Sequence, residues 1–174
     1  MMIKQVFYIS FFFLFVNAGI PEYLKKKVDK EIKKTFQVET YDLVNIDASI
    51  SELEVPKTFK IDNLFQVKNN DNLIGYTYIA KAPSRDNMFD YMVVFDTNLT
   101  IIHAKVLVYR EDYGSEIGSK RWLKQFYGKT IEDDLVYGDT IDAISGATIS
   151  VKSMTTAVAK LLQAIRVLKS NNTL

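Results

Sequence analysis

The chain has 174 residues, 48% of them hydrophobic and 25% charged, which is enough for one buried core and too little for two comfortable domains. Lysine and arginine number 22 against 21 acidic residues, so no basic surplus exists to hold a phosphate backbone, and no nucleic-acid partner is expected. The absence of cysteine excludes disulfides, iron–sulfur clusters, thiolate zinc sites, a cysteine nucleophile and a lipoprotein anchor, and the single histidine, His103, excludes a multi-histidine metal centre.

The chain opens on Met1 to Gln5, a short charged region, followed by the apolar run Val6 to Val16 and the small residues Ala18 and Gly19. This is the pattern of a signal peptide over residues 1–18, with Val16 and Ala18 at the positions a signal peptidase prefers. The run falls well short of the roughly 20 apolar residues that span a bilayer. Export to the periplasm or cell envelope is the expectation, and a retained leader would make the protein membrane-anchored instead.

From Pro21 to Phe36, Leu24, Val28, Ile32 and Phe36 recur every four residues and predict an amphipathic helix, with Pro21 suited to its first turn. Six lysines between Lys25 and Lys34 cover the remaining surface. They read as a solvated face, with adhesion to an anionic membrane as the other reading of a basic amphipathic helix. Residues 19–63 thus comprise this helix and a weakly patterned connection with room for one or two short strands.

The segments Leu64 to Lys68 and Leu73 to Ala80 flank Asn69-Asn70-Asp71-Asn72, a hairpin signal because Asn and Asp tolerate the left-handed backbone of tight turns. Phe89 to Phe95 and Ile101 to Tyr109 are β-branched and aromatic, again separated by turn chemistry. Ser119 is placed to cap a short helix through Trp122 and Phe126 that Gly128 can close. A last helix from about Ser150 to Lys169 carries Met154, Val158, Leu161, Ile165 and Leu168 as its apolar stripe. Consecutive strands on short turns, followed by helices, predict a single α+β domain: an antiparallel sheet with flanking helices.

The chemically informative stretch is Asp142-Ala143-Ile144-Ser145-Gly146-Ala147-Thr148, directly before the last helix. Gly146 permits close approach of a ligand or another backbone, and Thr148 presents a hydroxyl where unpaired N–H groups and the helix dipole favour an anion. Ser145 or Thr148 as a plain helix cap, and Asp142 as a simple turn carboxylate, explain the same residues without any ligand. A hydrolase would need a nucleophile and a base, but His103 falls mid-strand with no serine on a glycine elbow near it.

Asp142 to Thr148 resembles the Asp-x-x-Ser/Thr-Gly-Ala-Thr flavinylation motif of the FMN-binding domain family, which includes the covalent flavoprotein subunits of the sodium-pumping NADH:quinone reductase and of Rnf-type complexes. Tyr109 to Ile117, followed by Trp122-Leu123 and Gln125 to Gly128, is similar to the loop and short helix that precede this motif in the family. The glutamate loop departs from the larger complex subunits, having Asp112-Tyr113-Gly114-Ser115 where those carry a proline and closely spaced glycines.

The resemblance implies FMN as cofactor, within an FMN-binding domain of about residues 64–170. It implies that a separate flavin transferase takes FMN from FAD and joins its phosphate to the Thr148 hydroxyl. Ser145, Gly146, Ala147 and Asp142 would shape the surrounding backbone, while Tyr113, Gly114 and Glu111 would approach the flavin from the upstream loop. Tyr113 and Glu111 also read as ordinary packing and surface residues, and core packing is favoured for Trp122. The functional expectation is an exported electron carrier that meets a membrane or envelope redox partner. The alternative is a flavin-free exported binding or scaffolding domain of the same fold.

Overall fold

The computed structural model describes residues 19–174, so the expected signal peptide of residues 1–18 and the cleavage expected after Ala18 lie outside the described residues. Helix α1 spans Glu22–Phe36, with Pro21 immediately before it and Gln37 in the left-handed region at its end. Leu24, Val28 and Ile32 are buried, and the lysine face is solvated and partly paired within the helix, as in Lys25–Glu22 at 2.6 Å and Lys33–Asp29 at 3.2 Å. The weakly patterned connection supplies one short strand, β1 (Asp42–Asn45). Strands β2 (Leu64–Asn69) and β3 (Asn72–Pro83) form the expected hairpin. Asn70 and Asp71 both take positive φ at its tip, as a two-residue type I′ turn requires.

Strands β4 (Met88–Phe95) and β5 (Ile101–Val108) complete a five-stranded antiparallel sheet in which spatial order follows chain order. Alternation along the strands separates two apolar faces. On one, Tyr76, Tyr78, Phe89, Tyr91, Val93 and Phe95 pack with the last helix, α3 (Thr148–Ser170). On the other, Ile79, Met92, Val94 and Leu107 pack with the buried stripe of α1.

A register shift between Val94 and Phe95 pairs Phe95 with Ile101 but Val94 with His103. The one-residue bulge turns His103 toward α1, where Nε2 lies 3.0 Å from Glu31 Oε2 and Nδ1 lies 2.7 Å from Tyr127 Oη. Nearby, Asp90 is 1% exposed; it accepts hydrogen bonds from Arg110 Nη2 at 2.5 Å and from Tyr23 Oη at 2.9 Å. Both polar clusters tie the α1 layer to the sheet.

The short helix after Ser119 is a single turn, α2 (Lys120–Leu123), between 3-10 segments Ser115–Gly118 and Lys124–Phe126. Ser119 Oγ accepts from the Trp122 N–H at 3.4 Å, and the Trp122 and Phe126 rings meet edge to face at 5.3 Å. Helix α3 begins at Thr148, two residues before the expected start near Ser150. Thr148 is therefore the first helical residue; the cap position belongs to Ala147, which offers no side-chain cap.

The His103 cluster yields a pH prediction. Burial pushes the His103 imidazole below its ordinary value of 6.5, against the opposing hydrogen bond and charge of Glu31; Lys105 and Lys34 push it further down. The unfolded chain therefore takes up a proton first as pH falls, so stability is intact above 6.5 and is lost progressively toward the lower folded value. Denaturation midpoints of wild type and His103→Gln, compared from pH 8 to pH 5, should show a steeper acid loss in wild type. Parallel curves would show that the cluster does not hold the imidazole neutral.

Candidate functional site

The segment Asp142 to Thr148 is fixed at its start by α2 and the 3-10 segment that follows it. Trp122 Nε1 donates to the Asp142 carbonyl at 2.8 Å, and the Asp142 N–H donates to Gln125 Oε1 at 2.8 Å. Two side chains from one helical turn thus clamp the backbone of Asp142 and leave its carboxylate exposed. A turn follows in which the Ala147 N–H donates to the Ile144 carbonyl at 3.2 Å, with Gly146 at φ +83°. Ala147 is buried, whereas Ser145, Gly146 and Thr148 are exposed. The first α3 bond runs from the Val151 N–H to the Ala147 carbonyl at 2.9 Å, and no side chain caps the preceding turn. The Thr148 hydroxyl accordingly stands in solvent at a helix start with polar N–H groups to offer.

The neighbouring hydroxyls are less available. Ser150 is buried with its Oγ 2.9 Å from Tyr109 Oη, and Thr155 is 1% exposed with its hydroxyl donated to the Val151 carbonyl at 2.9 Å. Thr156 is exposed.

The upstream loop meets the segment Asp142 to Thr148 at Gly114. This residue has φ +77°, and a Cβ there would lie 3.0 Å from Tyr109 Oη and 3.2 Å from both Cα and Cβ of Ala147. Tyr109 Oη also donates to the Tyr113 carbonyl at 3.1 Å, so a single phenol ties the loop to the first turn of α3. The Tyr113 ring is 83% exposed and packs on nothing substantial. Glu111 points to the β3–β4 turn: Oε1 accepts from Ser84 Oγ, from the Asp86 N–H at 3.0 Å and from the Asn87 N–H at 2.8 Å. These bonds, the Ser84 hydroxyl foremost, hold its carboxyl below the usual range. Glu111 thus has a structural task in fastening the loop.

A cleft of about 620 Å³ lies between α3 and β3, within the 300–1,000 Å³ typical of small-molecule sites. Its floor is Tyr78, Ala80, Ala82 and Tyr91; Phe59 closes one side; Thr148, Lys152, Thr156 and Lys160 form a row along the helix. Burial raises the phenols of Tyr78 and Tyr91, which keeps both neutral. No carboxylate lines the cleft, and Lys81, Lys152 and Lys160 make it electropositive. Of the sequence-predicted residues only Thr148 lines it, while Gly114 and Ala147 meet beside it. The cleft row was readable in principle as a hydroxyl-cation repeat at every fourth position of the helix opposite the apolar stripe.

The FMN-binding domain family model matches residues 86–163, a span that includes the upstream loop, the segment Asp142 to Thr148 and the first four turns of α3. Residues 86–163 belong to the FMN-binding domain family. The chain is also similar in structure to NqrC of Shewanella oneidensis, known from a crystal structure, with a TM-score of 0.54 and 18% sequence identity over 78% of this chain and 89% of that one. That likeness shows a shared fold. No curated protein matches the chain in sequence. The cofactor of this FMN-binding domain is FMN, and the residues present fit it. An aromatic-walled cleft suits a flat ring, and an uncapped helix start with Lys152 one turn away suits a phosphate.

The Gly114–Ala147 contact is testable. Gly114→Val places a branched side chain at positive φ against Ala147 and should cost about 2 kcal/mol in urea denaturation, with Gly114→Ala near 1 kcal/mol. The Val variant should also perturb the visible spectrum of the flavin-loaded protein. Unchanged midpoints and spectrum would show that the loop does not pack on the segment Asp142 to Thr148.

Proposed function

We propose that this protein is an exported electron carrier holding one FMN as a phosphoester on Thr148. The observation that carries the reading is the position of that hydroxyl: exposed, first in α3, and at the mouth of the one cleft whose walls suit a flavin, inside the span matched by the FMN-binding domain family. In the transferase reaction the Thr148 oxygen forms a bond to the FMN phosphorus of FAD, the pyrophosphate P–O bond breaks, AMP leaves, and a base on the transferase takes the hydroxyl proton. An unactivated hydroxyl is a weak nucleophile, so the segment must enter the transferase site. The clamped Asp142 and the exposed Ser145-Gly146 turn form the surface it would read.

After attachment, the first-turn N–H groups of α3 and the Lys152 ammonium offset the phosphate charge. The loop carrying Tyr113 and Gly114 covers the attachment from the Ala147 side, and Glu111 fastens its base. Bound FMN supplies the redox chemistry, and the protein orients it and limits its exposure to water. Residues 64–170 form the FMN-binding domain in this reading; of residues 19–63, α1 covers the opposite face of the sheet, β1 extends its edge, and Phe59 walls the cleft. Export through the leader of residues 1–18 puts the carrier in the periplasm or cell envelope, opposite a membrane or envelope redox partner. Among the described residues no helix is long and apolar enough to cross a membrane.

Coexpression with a flavin transferase tests the attachment. Wild type should gain one FMN as phosphoester by intact mass, on the tryptic peptide that ends at Lys152. Thr148→Ser should retain it. Thr148→Ala should lose all covalent flavin while keeping its stability within about 0.5 kcal/mol, because the side chain is exposed. Flavin on the next peptide, which begins at Ser153 and contains Thr155 and Thr156, would overturn the assignment. Colourless wild type from the same coexpression would favour a flavin-free scaffold.

A further inference from the structure

The row Thr148, Lys152, Thr156, Lys160 converts chain position into distance along the cleft. At 1.5 Å per residue, Lys152 stands about 6 Å from Thr148 along the helix axis and Lys160 about 18 Å. A phosphate held by Thr148 is therefore within reach of Lys152 and out of reach of Lys160. The ribityl chain and tricyclic ring of FMN together extend past two helical turns, enough for a flavin anchored at Thr148 and directed along the cleft to bring its ring to the far end.

We propose that the two lysines divide the cofactor between them, with Lys152 neutralising the phosphate and Lys160 setting the electron affinity of the isoalloxazine ring. This rests on the reading that FMN is anchored at Thr148. Three features of the cleft support the division. No carboxylate among its walls competes for either ammonium. Tyr78, Tyr91 and Phe59 exclude water from one side of the ring position, which lowers the local dielectric and strengthens a charge acting across it. Ala80, Ala82 and Ala157 leave room for a flat ring between sheet and helix, beside Lys160. Electrons arriving at a flavin place negative charge over the N1 and C2-carbonyl edge, and a cation near that edge favours the reduced form.

Sulfite provides a readout independent of any redox partner. Its sulfur lone pair adds to flavin N5, forming an N–S bond and placing the same negative charge on the N1–C2 edge, with no external oxidant or reductant. The dissociation constant for this adduct is read from bleaching of the visible band of the flavin-loaded protein.

Lys160→Met should weaken sulfite binding about tenfold, Lys160→Arg should stay within twofold of wild type, and Lys152→Met should stay within about threefold. Lys152 and Lys160 are both exposed, and thermal melts check that each of the three variants is folded. Lys30→Met on α1, across the sheet, controls for general charge. Equal sulfite affinity in Lys160→Met and wild type would overturn the assignment, as would a loss in Lys152→Met as large as that in Lys160→Met. Intact mass keeps the two readings apart: wild type without bound flavin defeats the anchoring at Thr148 and this division with it, whereas fully flavinylated variants with unchanged sulfite affinity defeat the division alone.

Discussion

The seating of α3 on the sheet is the interaction on which the functional geometry depends. Val151, Met154, Val158, Leu161, Ile165 and Leu168 are each 2% exposed or less, and burying a side chain of this kind contributes about 1.5–3 kcal/mol before entropy is counted. A stripe this long fixes both the rotation and the axial position of the helix. Rotation decides that Thr148, Lys152, Thr156 and Lys160 line the cleft, since they flank the stripe instead of lying in it. Axial position decides that the helix starts where Gly114 meets Ala147 and where the Tyr109 phenol reaches Ser150. Thr148 is thus positioned by apolar packing several turns away, and its own side chain remains exposed.

The two faces of the sheet have different roles. The α3 face is aromatic and leaves a cleft because β3 follows Tyr78 with the small Ala80 and Ala82 on the same face, beside Tyr91 of β4. The α1 face is closed by aliphatic contacts and by two polar clusters, a half-buried one around His103 and one around the buried Asp90. The bulge in β5 joins these faces: without it, His103 would turn from Glu31 into the aromatic core. A layer with polar clusters and an aromatic layer with a cleft therefore share the same strands while remaining separated by the thickness of the sheet.

The elements that were legible in the sequence are those in which local preference and burial agree. The α1 stripe, the Asn-Asp hairpin and the β4–β5 pair all follow from periodicity and turn chemistry, and the antiparallel α+β architecture follows from them. The start of α3 was misplaced because a small apolar residue, Ala147, stands at the cap and no hydroxyl marks the boundary. The helix around Trp122 was read as continuous, but 3-10 turns flank a single α turn there. Of the residues the motif and the loop single out, Thr148 is exposed at the start of α3, Gly114 meets Ala147, and Glu111 is bonded to the β3–β4 turn. The cleft itself was not legible, since alanines on β3 line a cavity only once a helix crosses them at a particular rotation.

In the proposed arrangement a flavin anchored at Thr148 lays its ring in the cleft between α3 and β3. Intermolecular NOEs in the flavin-loaded protein measure this directly. The ring protons should show contacts to the methyl groups of Ala80, Ala82 and Ala157, all of which line the cleft. Contacts confined to Ala147 and the Tyr113 loop, with none to these three alanines, would place the ring outside the cleft and contradict the account.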